Sequence, residues 1–193
     1  LLEGRKTVGA TVVLAEYDPH WPKRYEYEKN RILHALGERV IAIEHIGSTA
    51  VPGLGAKPII DIMVAVRSLE HDLPACIEPL RRLGYEHVER ADFTDSCFFC
   101  HGVWGPSTRH LHITEYGSAF WHEKLLFRDF LRLHTDTAAE YFALKRSLAA
   151  QHATNRTAYT DAKGSYIKSV VNRARSTALA SSNNAQLERH FPK

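Results

Sequence analysis

The sequence predicts an α+β fold, a mixed sheet with helices on one side and a helical C-terminal part. Three observations lead there. Two short β-rich apolar runs, ERVIAIEHIG and IIDIMVAV, flank a loop dense in glycine and proline. Three further strand patterns crowd residues 85 to 116, and apolar residues recur at helical spacing before, between and after these segments.

In chain order, ATVVLAEY at 10 to 17 is a short strand candidate, and Asp18, Pro19, Trp21 and Pro22 form a helix entrance. Residues 22 to 36 follow as a helix whose buried stripe is Tyr25, Ile32, Leu33 and Leu36. ERVIAIEHIG is a strand ending at Gly47, residues 48 to 58 are loop, and IIDIMVAV is too short and too β-branched for a helix. Leu73, Ile77, Leu80 and Leu83 give the stripe of a helix over 70 to 83, with Gly84 as its stop. YEHVER, SCFFCHGV and RHLHITEY are then strands, the last two a hairpin around WGPST. Helices are expected at 118 to 133, 137 to 152 and 157 to 175, and the Ser-, Ala- and Asn-rich STALASSNNAQLERH reads as a tail. The expected organisation is an N-terminal extension (1–15), one domain (16–175, with a sheet core to 117 and a helical part from 118) and a tail (176–193).

The totals narrow the function classes. At 193 residues and 44% apolar content the chain can bury a proper core. It contains no run of about 18–20 apolar residues of the kind that spans a membrane. The start, LLEGRKTVGATVV, lacks the apolar segment of a signal peptide, so a cytoplasmic location is expected. Three cysteines, Cys76, Cys97 and Cys100, are too few and too unevenly placed for a disulfide framework. Residues 118 to 193 carry twelve Lys and Arg against six acids, and residues 1 to 117 carry thirteen against sixteen. That C-terminal excess suits a phosphate-bearing partner or a solvated helical surface equally well.

The loop HIGSTAVPGLGAKPIIDIMV, residues 45 to 64, concentrates the chemistry. It is not a Walker A loop, because Lys57 follows Ala56 and precedes Pro58, and it lacks the third glycine and the helix start of a dinucleotide fingerprint. What remains is Gly47 and Ser48 after a strand, twelve residues, then Asp61 inside a strand, which is the spacing of the nucleotidyltransferase signature. Gly47 lets backbone approach an anion, and Ser48 with Thr49 adds hydroxyl donors. Asp61 lies between Ile60 and Ile62, so its carboxylate points to the opposite strand face, where a divalent ion on phosphate oxygens, Lys57 or loop amides would balance it.

The stretch IEHIGSTAVPGLGAKPIIDIMVAV, with RHLHI, FRDFLRLH, YFALKRSLA and YTDAKGSYI, resembles the GrpB family of uncharacterised nucleotidyltransferase-like proteins, also found fused to dephospho-CoA kinase. The resemblance spans about residues 16 to 175 and implies the polymerase β-like nucleotidyltransferase fold. One departure stands out. Nucleotidyltransferases usually carry a second acid two residues after the first, and here that position is Met63. His110 and His112 share one face of a later strand, where such folds place a third carboxylate, and Glu44 and His45, on opposite strand faces, are further candidates. His112 could serve as ligand or general base, and each histidine has an ordinary hydrogen-bonded strand role as its alternative.

In the last helix, 100° per residue puts Arg156, Tyr159, Lys163, Ile167, Val170 and Ala174 on one face, a stripe that begins with cations and ends in core. Burying cations without anions is costly, so that end should open on a cleft, and a triphosphate would fit it. Lys145 keeps the same company with Tyr141 and Leu148, whereas Lys124, Arg128 and Arg132 read either as part of such a cleft or as solvated surface. CFFCH matches the haem attachment pattern but sits in a strand with its cysteines on opposite faces. A zinc site from Cys97, Cys100, His110 and His112 is disfavoured because structural ligand pairs come from turns or helices. The sequon Asn155, Arg156 and Thr157 has no role without secretion.

Two readings follow. In the first, an NTP is held by Gly47, Ser48, Thr49, Lys57, Lys145, Arg156, Tyr159 and Lys163, with Mg²⁺ or Mn²⁺ on Asp61, His110, His112 and Glu44. Asp61, His112 and Ser48 then carry the transfer of NMP to a small-molecule acceptor. In the second, Met63 marks a degenerate transferase that binds a nucleotide or a coenzyme A-like ligand. Nucleic acid is not the expected partner, since no recognition helix or aromatic and basic strand motif is present.

Overall fold

The computed structural model describes residues 12–89, 95–102 and 108–190, with side chains excepted at 156 and 179–190. Five strands, β1 (Ala42–Ile46), β2 (Ile60–Val66), β3 (Tyr85–Val88), β4 (Ser96–His101) and β5 (Arg109–Glu115), form one sheet in the order β1-β2-β5-β4-β3. The central pair β2 and β5 is parallel, in a register that sets Asp61 beside His110 and Met63 beside His112. The other pairs are antiparallel, as expected for the β4 and β5 hairpin; most of its turn lies outside the described residues.

Alternation sorts the strands into two faces. Ile62, Val64, Val66, Leu111 and Ile113 point to one face and are fully buried under helices α1 (Trp21–Leu36) and α2 (Leu69–Arg82), through Trp21, Ile32, Leu36, Cys76 and Leu80. Each such side chain contributes about 1.5–3 kcal/mol by leaving water. One charge sits in this layer. Glu28 of α1 is wholly buried and bonds Arg31 at 3.0 Å, Arg109 at 3.2 Å and the Tyr85 hydroxyl at 3.1 Å.

The opposite face carries Asp61, Met63, His110 and His112. Helix α3 (Ala119–Leu133) covers part of it, Trp121 packing on Ile46, Met63 and Ala65. The sheet is therefore covered on both sides rather than one, because Met63 and Ala65 leave this face apolar at its far end. Helices α4 (Thr135–Gln151), α5 (Arg156–Ala162) and α6 (Gly164–His190) complete the C-terminal part. Phe127, Leu131, Tyr141 and Val170 from α3, α4 and α6 bury Val51 and Leu54, so the helical part grips the loop after β1 from outside the sheet.

Four further expectations change. The strand at 10 to 17 is, among the described residues, a single antiparallel bridge from Ala15 to Ala56. The helix expected at 157 to 175 is broken between α5 and α6 at Lys163, before Gly164. The tail instead continues α6 to His190, in a stretch without Gly or Pro to stop it. In α2, Ile77 is 39% exposed and Cys76 takes the buried place. The rim strand β1 is closed by side chains, Tyr25 donating to the Ile43 carbonyl at 3.1 Å and Arg128 to that of His45 at 3.0 Å.

Candidate functional site

The site is built where β1 ends over the start of β2. Gly47 has φ +70°, and a Cβ there would overlap the Asp61 carboxylate, so both backbone sign and space demand glycine. The chain then enters a short 3₁₀ turn, Ser48–Ala50, held by Arg132, which donates through Nε and Nη2 to the Ala50 carbonyl at 2.9 and 2.8 Å. Ser48 is half-buried at the head of this turn.

Asp61 accepts from His110 Nδ1 at 3.1 Å. Burial pushes its carboxyl up, but the hydrogen bond and charge of His110, then the charges of His112 and Lys57, outweigh that and leave it below the ordinary value. Asp61 is therefore an anion at neutral pH. His112 packs between the rings of Phe98 and Phe120, with centroids 5.0 and 5.4 Å away.

Lysines surround this carboxylate. Lys145 of α4 is 2% exposed and donates to Ser48 Oγ at 3.0 Å and to the Gly55 carbonyl at 2.6 Å, with its Nζ 4.7 Å from the Tyr141 ring centroid. Burial, then Lys163 and Lys57, lower its pKa to about 7, against the pull of Asp61. Lys57 and Lys163 lie against one ring, that of the buried Tyr159, at 5.4 and 4.2 Å. Burial pushes the Tyr159 hydroxyl up to about 12, so the ring stays neutral. Lys124 of α3, 4.8 Å from the Phe120 ring centroid, is lowered by burial and opposed by Asp61 and Glu123.

The structure thus brings together Gly47, Ser48, Asp61, His110, Lys57, Lys145, Tyr159 and Lys163. Others of the expected set do other work. Thr49 is buried, donating to the Ile59 carbonyl at 3.1 Å and accepting from His45 Nε2 at 3.0 Å, so its hydroxyl braces the loop rather than a ligand. Glu44 is bound by Arg128 at 2.6 Å and turned from Asp61 toward α3. The Arg156 side chain lies outside the described residues.

Sequence reasoning left Arg128, Arg132 and Lys124 undecided and passed over Gly55. The spacing of four along α3 was the available signal for the first three. Gly55 gives Lys145 its carbonyl, and any Cβ there would strike the Phe142 ring.

A metal centre of the expected composition does not fit this donor set. His110 occupies one oxygen of Asp61, Glu44 is held by Arg128, and Met63, fully buried, stands where a second acid would be. Among the described residues no group of three or more His, Cys, Asp or Glu is placed to hold a metal ion. Cys97 and Cys100 point to opposite faces of β4, and burial raises both thiols. Among the described residues no helix is long and apolar enough to cross a membrane.

Comparison with known proteins agrees with this architecture. The UPF0157 protein of Halalkalibacterium halodurans is 37% identical over 175 residues, covering 89% of this chain and 87% of its own. A dephospho-CoA kinase of Mycolicibacterium paratuberculosis is 32% identical over 200 residues; the match covers 90% of this chain but only 48% of the kinase. The crystal structure of the conserved protein GrpB from Enterococcus faecalis superposes with a TM-score of 0.79 at 31% identity, over 86% of this chain and 99% of that one. A mutant of the Cid1 poly(U) polymerase bound to MgATP superposes at 0.52 with 14% identity, over 76% of this chain and 50% of that one. The fold is that of the polymerase β-like nucleotidyltransferases. With the GrpB protein family matching residues 11–173, the chain belongs to the GrpB family.

Proposed function

We propose that this chain binds a nucleotide by its phosphates over Asp61, and that lysines, rather than a pair of carboxylate-held metal ions, supply most of the neutralising charge. The observation that carries the reading is Lys145, a buried lysine whose partners are two neutral oxygens and whose neighbours include two more lysines. Such a site gathers three cationic side chains about one carboxylate, and a polyphosphate suits it. Lys57, Lys145 and Lys163 take the phosphates, Ser48 donates beside them, and the Gly47 turn lets the anion come close. A coenzyme A-like ligand presents the same pyrophosphate chemistry and is the alternative guest.

Calorimetric titration with ATP, GTP, UTP, CTP and coenzyme A, with and without EDTA, tests this. Binding that persists in EDTA and weakens at least about tenfold, roughly 1.4 kcal/mol, in Lys145→Met is expected. No binding by any of the five overturns the reading.

The hydrogen bond between the ionised Asp61 and His110 favours a second reading, in which the site still transfers NMP from an NTP to a small acceptor. Its signature is pyrophosphate release with Mg²⁺ or Mn²⁺ that vanishes in Asp61→Asn. Binding with no turnover across a broad acceptor screen decides for the binding module.

A further inference from the structure

Ser48 and Lys145 meet in the arrangement of a nucleophile and its base. The positive φ at Gly47 ends β1 in a sharp elbow and sets Ser48 at its tip, half-exposed, while Arg128 and Arg132 clamp the backbone on either side through the carbonyls of His45 and Ala50. Lys145 Nζ stands 3.0 Å from Ser48 Oγ and is oriented by the Gly55 carbonyl and by the rings of Tyr141 and Phe142 at 4.7 and 5.5 Å. A nucleophile within hydrogen-bond reach of a base that a third group orients is the general signature of covalent catalysis.

From this geometry we infer that Ser48 is a nucleophile toward phosphorus esters and anhydrides, with Lys145 as the base that takes its proton. The natural electrophile rests on the nucleotide reading above; the nucleophile does not. The charged groups around Lys145 are Lys57, Lys163 and Asp61, and burial with the two lysines leaves it an amine in a good fraction of molecules near neutral pH. In that form one N–H stays on the Gly55 carbonyl and the lone pair receives the serine proton. The Ser48 Oγ to phosphorus bond forms as the bond from phosphorus to the leaving group breaks, and the proton passes to Lys145 Nζ. With an NTP the leaving group is pyrophosphate and the product is nucleotidyl-Ser48. Lys57 and Lys163 offset charge on the departing phosphates.

A fluorophosphonate probe, whose fluoride replaces pyrophosphate as leaving group, tests the step on the intact chain. One label on Ser48 by peptide mapping is expected, absent in Ser48→Ala, with a rate that rises through a midpoint near pH 7. Lys145→Arg keeps the cation but cannot deprotonate, and should label at least about 100-fold more slowly. Labelling elsewhere only, an equal rate in Lys145→Arg, or a wild-type rate flat between about pH 6 and 8 overturns the proposal. Saturating ATP slows the reaction if nucleotide shares the site. Labelling of Ser48 that ATP leaves untouched keeps the nucleophile and overturns the nucleotide reading instead.

Discussion

The two faces of the sheet treat buried charge in opposite ways. On the face under α1 and α2, Glu28 is surrounded by two arginines and a tyrosine hydroxyl, and its charge is cancelled within the fold. On the other face, Lys145 is almost as deeply buried but touches neutral oxygens and stands near other lysines. The first arrangement asks nothing of solvent or ligand. The second gathers lysines about Asp61 without an ion pair to Lys145 itself, and on the reading proposed above a bound anion completes the balance.

Substitutions and pH can break this contrast, and the largest effect belongs to the closed side. Glu28→Ala leaves Arg31, Arg109 and Tyr85 without their common acceptor and should cost about 3–5 kcal/mol in urea unfolding; a loss below about 1 kcal/mol would mean the network is not self-cancelling. Next comes His45, beside Tyr25 with centroids 4.6 Å apart. Burial, with Arg132 and Arg128 adding to it, lowers its pKa from 6.5 to about 4. The unfolded chain then binds a proton that the folded one refuses, so stability should fall by about 3 kcal/mol as pH drops through that interval. His45→Gln should remove that part of the acid dependence.

On the open side, Gly47→Ala should cost about 2 kcal/mol from the backbone conformation alone and disturb Asp61 as well, visible as a lower Tm and a shifted His110 signal. The last effect is a slope, spread over the widest pH interval. The ordinary lysine value is 10.5 and Lys145 sits near 7, so between these the unfolded chain holds the extra proton and ligand-free stability rises with pH, by at most about 1.4 kcal/mol per unit. Lys145→Met should flatten it.

Much of the open side was legible because alternation and helical spacing act locally. Ile60 and Ile62 fix the face of Asp61, and Tyr141 with Leu148 fixes the inward turn of Lys145; all follow from a few residues of sequence. Glu28 was not legible, since two of its donors, Tyr85 and Arg109, come from β3 and β5, more than fifty residues away, and nothing near it marks a glutamate as buried. Thr49 was misread for a related reason. Its place beside Ser48 suggests a second phosphate donor, but the hydroxyl is taken by His45 and Ile59. The break before Gly164 interrupts the last helix, yet Lys163 and Tyr159 still meet, because both belong to α5 and its final turn.

The closure of β1 reaches beyond the pocket. Its sequence, VIAIEHI with the residues before it, is the kind of apolar ribbon that recruits a neighbour's strand and seeds fibres. Carbonyls two residues apart point the same way, and those of Ile43 and His45 are already occupied by Tyr25 and Arg128. An incoming ribbon would have to evict both side chains, so the arginine that steadies the elbow also keeps copies of the molecule from zipping together along this rim.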